Sequence, residues 1–168
     1  MGKTWIRLGW GGMLAAWMVV IFLFSNQPAS ESSKISGTFS FRLVEKVDRA
    51  FELNMTEEDM ETVAEHIDYP VRKAAHMTEY AILSLLSFGF FYHLKQTGKR
   101  QFYYAAAWLF SSCYAATDEF HQLFVPGRAG RISDVCIDAA GAAIGLFLCY
   151  VLRKIWGKHC EKRKYLIK

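Results

Sequence analysis

Several features that would point to familiar chemistry are missing from this chain. The four cysteines have no paired spacing, so we predict neither disulfide bonds nor a zinc–thiolate site. No serine or cysteine stands out as a nucleophile. No internal repeat or pair of broken helices is visible, which argues against a transporter built from inverted repeats. Charge is also missing from four blocks, 8–24, 80–92, 102–117 and 139–152.

The uncharged blocks predict an all-α, polytopic membrane protein. A helix needs about 20 apolar residues, or at least about 17, to cross the hydrocarbon core of a bilayer. Only the first block is long enough unaided, so the other three require their polar outer turns to enter the protein interior. We predict a four-transmembrane-helix bundle in a single domain, 1–168, with spans at about 5–25, 72–94, 102–124 and 132–153.

Lysine and arginine set the expected orientation, because they are enriched in cytoplasmic segments. With the amino terminus inside, the inner segments hold twelve of the 20 basic residues, among them Arg7, Lys95 and Arg100. The first apolar run exceeds the roughly 7–15 residues of a cleavable signal peptide, which favours a retained anchor. We therefore expect a multi-pass protein of the cell membrane with both termini cytoplasmic, an extracytoplasmic loop at 26–70 and a basic cytoplasmic tail at 154–168.

The outer loop contains two amphipathic stretches that predict short helices. Apolar residues recur at helical spacing from Phe39 to Phe51 and again from Met60 to Ile67. Thr56 is suited to cap the second helix, with Asp59 three residues on. Pro70 suits the start of the next helix. These short helices are predicted either to form a surface cap or to act as a functional lid.

Ionisable residues are concentrated where three predicted spans meet the outer surface. Acids at this depth are costly unless they face the protein interior, and intramembrane ionisable residues commonly mark functional sites. The candidate catalytic residues are His76, Glu79, Asp118, Glu119, His121, Asp134 and Asp138. The candidate substrate-binding residues are Arg72, Lys73, Gln122, Arg128, Arg131, Ser25 and Gln27. On the side of the fourth span that carries Asp134 and Asp138, Gly141 and Gly145 predict a close approach by a neighbouring helix.

The cluster admits a structural interpretation and three chemical ones. Structurally, it is a network of ion pairs that fixes helix register, although such pairs are weak evidence of stabilisation. Chemically, its histidines and acids could ligate a divalent metal. Asp118 or Glu119 with His121 could act as an acid–base pair. Arg128 and Arg131, on a glycine-rich turn at a helix amino end, could cradle a phosphate or carboxylate.

Four motifs in order resemble the VanZ-like family. They are Phe24-Ser25-x-Gln27-Pro28, Arg72-Lys73-x-x-His76-x-x-Glu79-Tyr80, Asp118-Glu119-x-His121-Gln122-x-Phe124-x-Pro126-x-Arg128, and Asp134-x-x-x-Asp138-x-x-Gly141. The resemblance covers roughly residues 5–153. It implies a bacterial cell-membrane protein with a role in low-level resistance to the glycopeptide teicoplanin, and it implies no cofactor or catalytic mechanism.

Together these features predict action at the outer face of the membrane, on or near an envelope lipid or glycan. A binding or shielding protein without turnover is the alternative, with a lipoglycopeptide, an envelope precursor or a partner protein as its target. A transporter is the weakest of the three hypotheses. We expect no nucleic-acid partner, and the sequence specifies no protein partner.

Overall fold

A computed structural model describes residues 2–94 and 99–166 of the chain, with backbone only for Lys3 and 157–166. Within these residues the fold is all-α, as predicted, without strands. Its five helices are α1 (Gly2–Ser25), α2 (Ala29–Phe51), α3 (Glu57–Leu94), α4 (Arg100–Gln122) and α5 (Ile132–Leu166). Lys95, expected in the inner turn, lies outside the described residues, as do the side chains of the basic tail beyond Trp156.

Helix α3 is the centre of the bundle and contacts each of the other four helices. Its carboxyl end lies beside the amino end of α1, where Arg7 Nε donates to the His93 carbonyl at 2.8 Å. Further along, Trp17 Nε1 donates to the Glu79 carbonyl at 3.0 Å. Helices α1 and α3 are therefore antiparallel, and the carboxyl end of α1 reaches the middle of α3.

Helices α3 and α5 run parallel and pack closely through small residues. A Cβ added at Gly145 would lie 2.8 Å from the Ala81 carbonyl oxygen, and one at Gly141 would clash with the Met77 backbone. Ser84 Oγ donates to the Ala142 carbonyl at 3.0 Å across the same contact. The close approach predicted from the glycine spacing is confirmed.

The predicted pair of short outer-loop helices is wrong in its boundaries. The first stretch belongs to α2, which has 23 residues, and the second is the start of the 38-residue α3. Thr56 does act as the cap, since its Oγ1 accepts from Asp59 N at 3.2 Å. Pro70 lies inside α3 instead of starting a helix. Proline removes one backbone hydrogen bond, and packing of α2 against α3 on both sides of Pro70 keeps the helix continuous.

Two helical stretches are long and apolar enough to cross a membrane, Thr4–Ser25 and Ile132–Trp156, judged by length and composition among the described residues. The predicted spans in α3 and α4 are not apolar enough to be counted with these two, so the predicted four-span bundle is not confirmed. The physical reason is visible in their sequences, because each carries several charged or hydroxyl side chains that lower its hydropathy. The part of α3 from residue 72 onward is nonetheless about 34 Å long.

The apolar core fills the middle of the bundle and one of its ends. Leu14, Ile21, Tyr80 and Leu83 form one buried cluster with two alanines. A second cluster surrounds Phe88, where aromatic rings from α3 and α4 stack. Since this packing occupies the middle and one end, the buried acidic side chains lie at the other end.

Candidate functional site

The polar end of the bundle gathers ionisable residues from α3, α4, α5 and the α4–α5 turn. The end of α1, the middle of α3, the end of α4 and the start of α5 meet here. We define the polar cluster as the acidic, basic, histidine and glutamine side chains of α3, α4, α5 and the α4–α5 turn that line its two cavities. They are Arg72, Lys73, His76, Glu79, Asp118, Glu119, Gln122, Arg128, Arg131, Asp134 and Asp138. Ser25 and Gln27 lie at its edge. Thirteen of the fourteen predicted site residues are thus brought together.

Helices α3 and α5 are joined by charged side chains at this end. Lys73 Nζ lies 2.6 Å from Asp134 Oδ1, and both side chains are only 20% exposed. His76 Nδ1 lies 4.0 Å from both Asp138 Oδ1 and Glu79 Oε2, so the imidazole is placed between two carboxylates. The parallel packing of α3 on α5 positions these pairs, because it sets each α3 residue opposite its α5 partner.

Asp138 is the most unusual member of the polar cluster. It is 1% exposed, and neither carboxylate oxygen has a hydrogen-bond partner within the described structure. A buried polar group without a partner costs free energy. Such a group is therefore available to a donor from a ligand, and Asp138 lines the cavity where a ligand could enter.

The end of α4 contributes two buried acids that face different ways. Asp118 accepts from Gln122 Nε2 at 3.3 Å, and the hydroxyls of Ser25 and Tyr80 face it without well-formed hydrogen bonds. Glu119 Oε2 accepts from the backbone N–H of Arg131 at 2.9 Å. Glu119 therefore fixes the start of α5, whereas Asp118 points toward α1 and α3.

Arg128 connects the α4–α5 turn to the end of α1. Its Nε donates to the Gln27 carbonyl at 2.9 Å and its Nη2 to the Phe24 carbonyl at 3.0 Å. Gly127 permits this path, since its φ is +74°. Burial lowers the pKa of the Arg128 guanidinium, whereas the carboxylates of Asp118 and Glu119 raise it. Arginine keeps its charge in proteins, so the turn places a cation inside the polar cluster.

Arg72 is held between α2 and α3. Its Nε lies 3.3 Å from Asp68 Oδ2, and its Nη1 donates to Ser33 Oγ at 3.3 Å. Ser40 of α2 also donates to Asp68, at 3.4 Å. Through these contacts α2 positions one of the two arginines that line both cavities.

Two adjoining cavities open at the polar end. The first, of about 560 Å³, lies between α1, α2 and α3 and is mostly apolar, with Glu79 and Asp118 at its polar edge. The second, of about 360 Å³, is mostly polar and lies between α3, α4 and α5. The two cavities share part of their walls. The residues that line both are Ser32, Arg72, His76 and Arg128.

The comparison with protein families agrees with this architecture. A family profile described as VanZ/LLP1 matches residues 10–153, which include every residue of the polar cluster. The chain belongs to the VanZ/LLP1 family. Neither the curated proteins nor the solved structures yield a match. VanZ proteins are membrane-associated, which agrees with the two apolar helices.

His121 is the predicted site residue that lies apart within this VanZ/LLP1 chain. Its ring packs on Phe22, with 4.8 Å between centroids, and its Nε2 lies 3.3 Å from Asn26 Oδ1. It lines neither cavity. The spacing of α4 placed it correctly near Asp118, but the neighbouring end of α1 occupies the space on its side.

Sequence analysis missed two residues of the site in this VanZ/LLP1 fold. Tyr80 is fully buried, and its hydroxyl faces Asp118. Asp68 orients Arg72 from one helical turn away. Both could have been found, since Tyr80 stands beside Glu79 in the second motif and Asp68 is at i−4 from Arg72. A helix that begins at Pro70 would leave Asp68 outside it, whereas in the structure both residues belong to α3.

The metal hypothesis gains no geometric support. Across residues 2–94 and 99–166 no group of three or more histidine, cysteine, aspartate or glutamate side chains is arranged to hold a metal ion. The side chains that line the cavities could support two other chemistries: proton transfer to or from a bound ligand by His76 or an acid, and recognition of an anion by Arg72 and Arg128.

Proposed function

We propose that this VanZ/LLP1 protein acts from the outer face of the bacterial cell membrane, on or near an envelope lipid or lipid-linked glycan. Through that action it would give low-level resistance to a glycopeptide such as teicoplanin. The single observation that carries the proposal is the polar cluster itself, eleven ionisable or amide side chains that surround two open cavities at one end of an apolar bundle.

Exposed apolar side chains support a bundle of four membrane spans. On α4, Phe102 and Phe120 are 66% and 64% exposed, and Phe147 on α5 is 64% exposed. Extended apolar surface of this kind is rare on soluble monomers and is typical of contact with lipid. Helix α4 carries such side chains along its length, which favours its being a span despite its moderate hydropathy.

The distribution of basic residues supports the proposed orientation. Arg7, Lys99, Arg100, Arg153 and Lys154 lie at the end of the bundle opposite the polar cluster. Lysine and arginine mark the cytoplasmic side when they flank membrane spans. With that end inside, both termini are cytoplasmic and the polar cluster faces outward.

The choice between catalysis and binding depends on His76 and its neighbours. An imidazole between two carboxylates suits general acid–base chemistry, which favours an enzyme. Shielding without turnover is the second candidate, because α2 forms one wall of the apolar cavity and would contact a bound molecule. A transporter is disfavoured, since stacked rings of Phe88, Tyr92 and Tyr104 fill the opposite end.

The test compares a susceptible bacterial host with and without the protein. We expect the protein to raise the teicoplanin concentration needed to stop growth, and Glu79→Gln and Asp118→Asn to abolish the increase. Glu65→Gln is the matched control, because Glu65 is exposed on the same helix as Glu79 and outside both cavities. A full increase in both cavity variants, at equal membrane abundance, would refute the proposal.

Lipid and muropeptide profiles from the same cells separate the two candidates. A species that appears or disappears with the protein, and not with Glu79→Gln, would favour an enzyme. Identical profiles combined with altered drug binding to the cells would favour shielding.

A further inference from the structure

The two cavities at the polar end are complementary in character. The larger is lined by Ile35, Phe39 and Leu43 of α2 together with small apolar residues of α3. The smaller is lined mainly by charged side chains. Because Arg72, His76 and Arg128 belong to both walls, an elongated molecule with one apolar and one polar end would fit across the junction.

We propose that the two cavities form one binding site for a phospholipid whose head group carries a hydrogen-bond donor beside its phosphate. The acyl chain lies between α2 and α3, the phosphate lies at the junction, and the donor reaches Asp138. This assignment rests on the proposed function and names the ligand class of the same site.

The apolar cavity fits a lipid chain in size and in composition. Its volume of about 560 Å³ lies within the range of small-molecule sites, about 300–1,000 Å³. Ile35 and Phe39 are 60% and 58% exposed although they line it, so the cavity is open along α2. An open apolar wall beside a membrane protein is accessible to the chain of a neighbouring lipid.

The junction fits a phosphate. A guanidinium has five N–H groups, and the contacts of Arg72 and Arg128 each involve only two of their three nitrogens. Arginine binds phosphate oxygens through two parallel hydrogen bonds. Lys73 is already paired with Asp134, so the two arginines are the cations best placed to receive the anion.

Asp138 adds a requirement that a phosphate alone does not meet. Its carboxyl group is buried, has no hydrogen-bond partner within the described structure, and lines the polar cavity. Both of its oxygens can accept hydrogen bonds. A phosphate without a proton cannot donate to them, whereas a hydroxyl or ammonium group next to the phosphate would supply the missing donor.

The binding test uses the full chain in nanodiscs of a neutral lipid and a photoactivatable phosphatidylethanolamine with a diazirine in its acyl chain. We expect crosslinks on the cavity-facing residues of α2 and α3. Unlabelled phosphatidylethanolamine and phosphatidylglycerol should compete about tenfold or more better than phosphatidylcholine, which lacks the donor, and diacylglycerol, which lacks the phosphate. Glycerol phosphate without a chain should compete weakly.

Substitutions test which residue binds each part of the head group. Arg72→Gln should weaken the competition by phosphatidylethanolamine about tenfold, and Asp138→Asn should remove its advantage over phosphatidylcholine. Ala75→Leu, which puts a larger side chain in the apolar cavity, should reduce crosslinking. Arg42→Gln and Ala50→Leu are matched controls on the exposed face of α2 and should leave every value unchanged.

Two results would overturn the assignment. One is crosslinking spread over the outside of the bundle with none at the cavity. The other is equal competition by all four lipids at the native protein. If either occurs while Glu79→Gln still abolishes the glycopeptide effect in cells, the ligand class fails and the proposed function stands. If the lipid binds as expected but the protein gives cells no glycopeptide resistance, the ligand class stands and the proposed function fails.

Discussion

Replacement of Gly141 by alanine should separate α3 from α5 and disturb the polar cluster. A Cβ at this position would lie 2.6 Å from Met77 Cα and 2.9 Å from Met77 C, with the Met77 carbonyl oxygen closer still. These are backbone atoms and cannot rotate away as a side chain could. The helices must therefore move apart at the point that sets Asp138 opposite His76.

The size of the effect follows from two opposing contributions. Overpacking a tight contact costs about 1–3 kcal/mol, whereas glycine to alanine within a helix gains about 0.8–1 kcal/mol. Gly12→Ala in α1 is the matched control, since a Cβ there meets nothing within 4 Å. Both variants gain the same helix contribution, so it cancels when their free energies of unfolding are compared. The remaining difference should be about 1–3 kcal/mol.

Thermal unfolding of both variants in the same detergent measures that difference. For a chain of this size each kcal/mol corresponds to about 2–4 °C in the midpoint. We expect Gly141→Ala to unfold below Gly12→Ala by that margin and to lose the glycopeptide effect in cells. Equal midpoints for the two variants would refute the close packing of α3 on α5.

Four further experiments each test one contact or one side-chain group. Lys73→Glu should impair stability and function, and adding Asp134→Lys should restore both. A double-mutant cycle should give a coupling energy of about 0.5–3 kcal/mol. No recovery in the double variant would show that the ion pair is not formed. Arg128→Lys should lower the free energy of unfolding by about 1–2 kcal/mol, because an ammonium group cannot reproduce the guanidinium contacts to two carbonyls. Thr56→Ala should cost about 1 kcal/mol through loss of the helix cap, and an unchanged midpoint would contradict the capping contact. Tyr80→Phe should leave the midpoint nearly unchanged, since its hydroxyl has no well-formed partner, yet reduce the glycopeptide effect; full activity would exclude the hydroxyl from the site.

The sequence predicted the helical class and the gathering of charges well, because both depend on local patterns. Charge-free blocks mark apolar helices, and i, i+4 spacing places Asp134 and Asp138 on one side of α5. The spacing of Gly141 and Gly145 likewise predicted the α3–α5 contact, since small residues permit close approach. In each case one helix and its periodicity were sufficient.

The features that depend on tertiary contacts were harder to predict. Pro70 signalled a helix start, but packing against α2 keeps α3 continuous through it. His121 shares a helix end with Asp118, yet the position of Phe22 on α1 decides what surrounds its ring. The division of the polar cluster between an apolar and a polar cavity depends on where α2 lies, and no local pattern specifies that position.

The location of the polar cluster relative to the membrane is measured most directly by cysteine labelling in intact cells. In a variant without the four native cysteines, a single cysteine replaces either Ala129, in the exposed turn beside the cluster, or Lys154, at the opposite end. A maleimide that does not cross membranes should label the residue 129 variant in intact cells and the residue 154 variant only after permeabilisation. The opposite pattern would place the cluster in the cytoplasm and contradict the proposed action at the outer face.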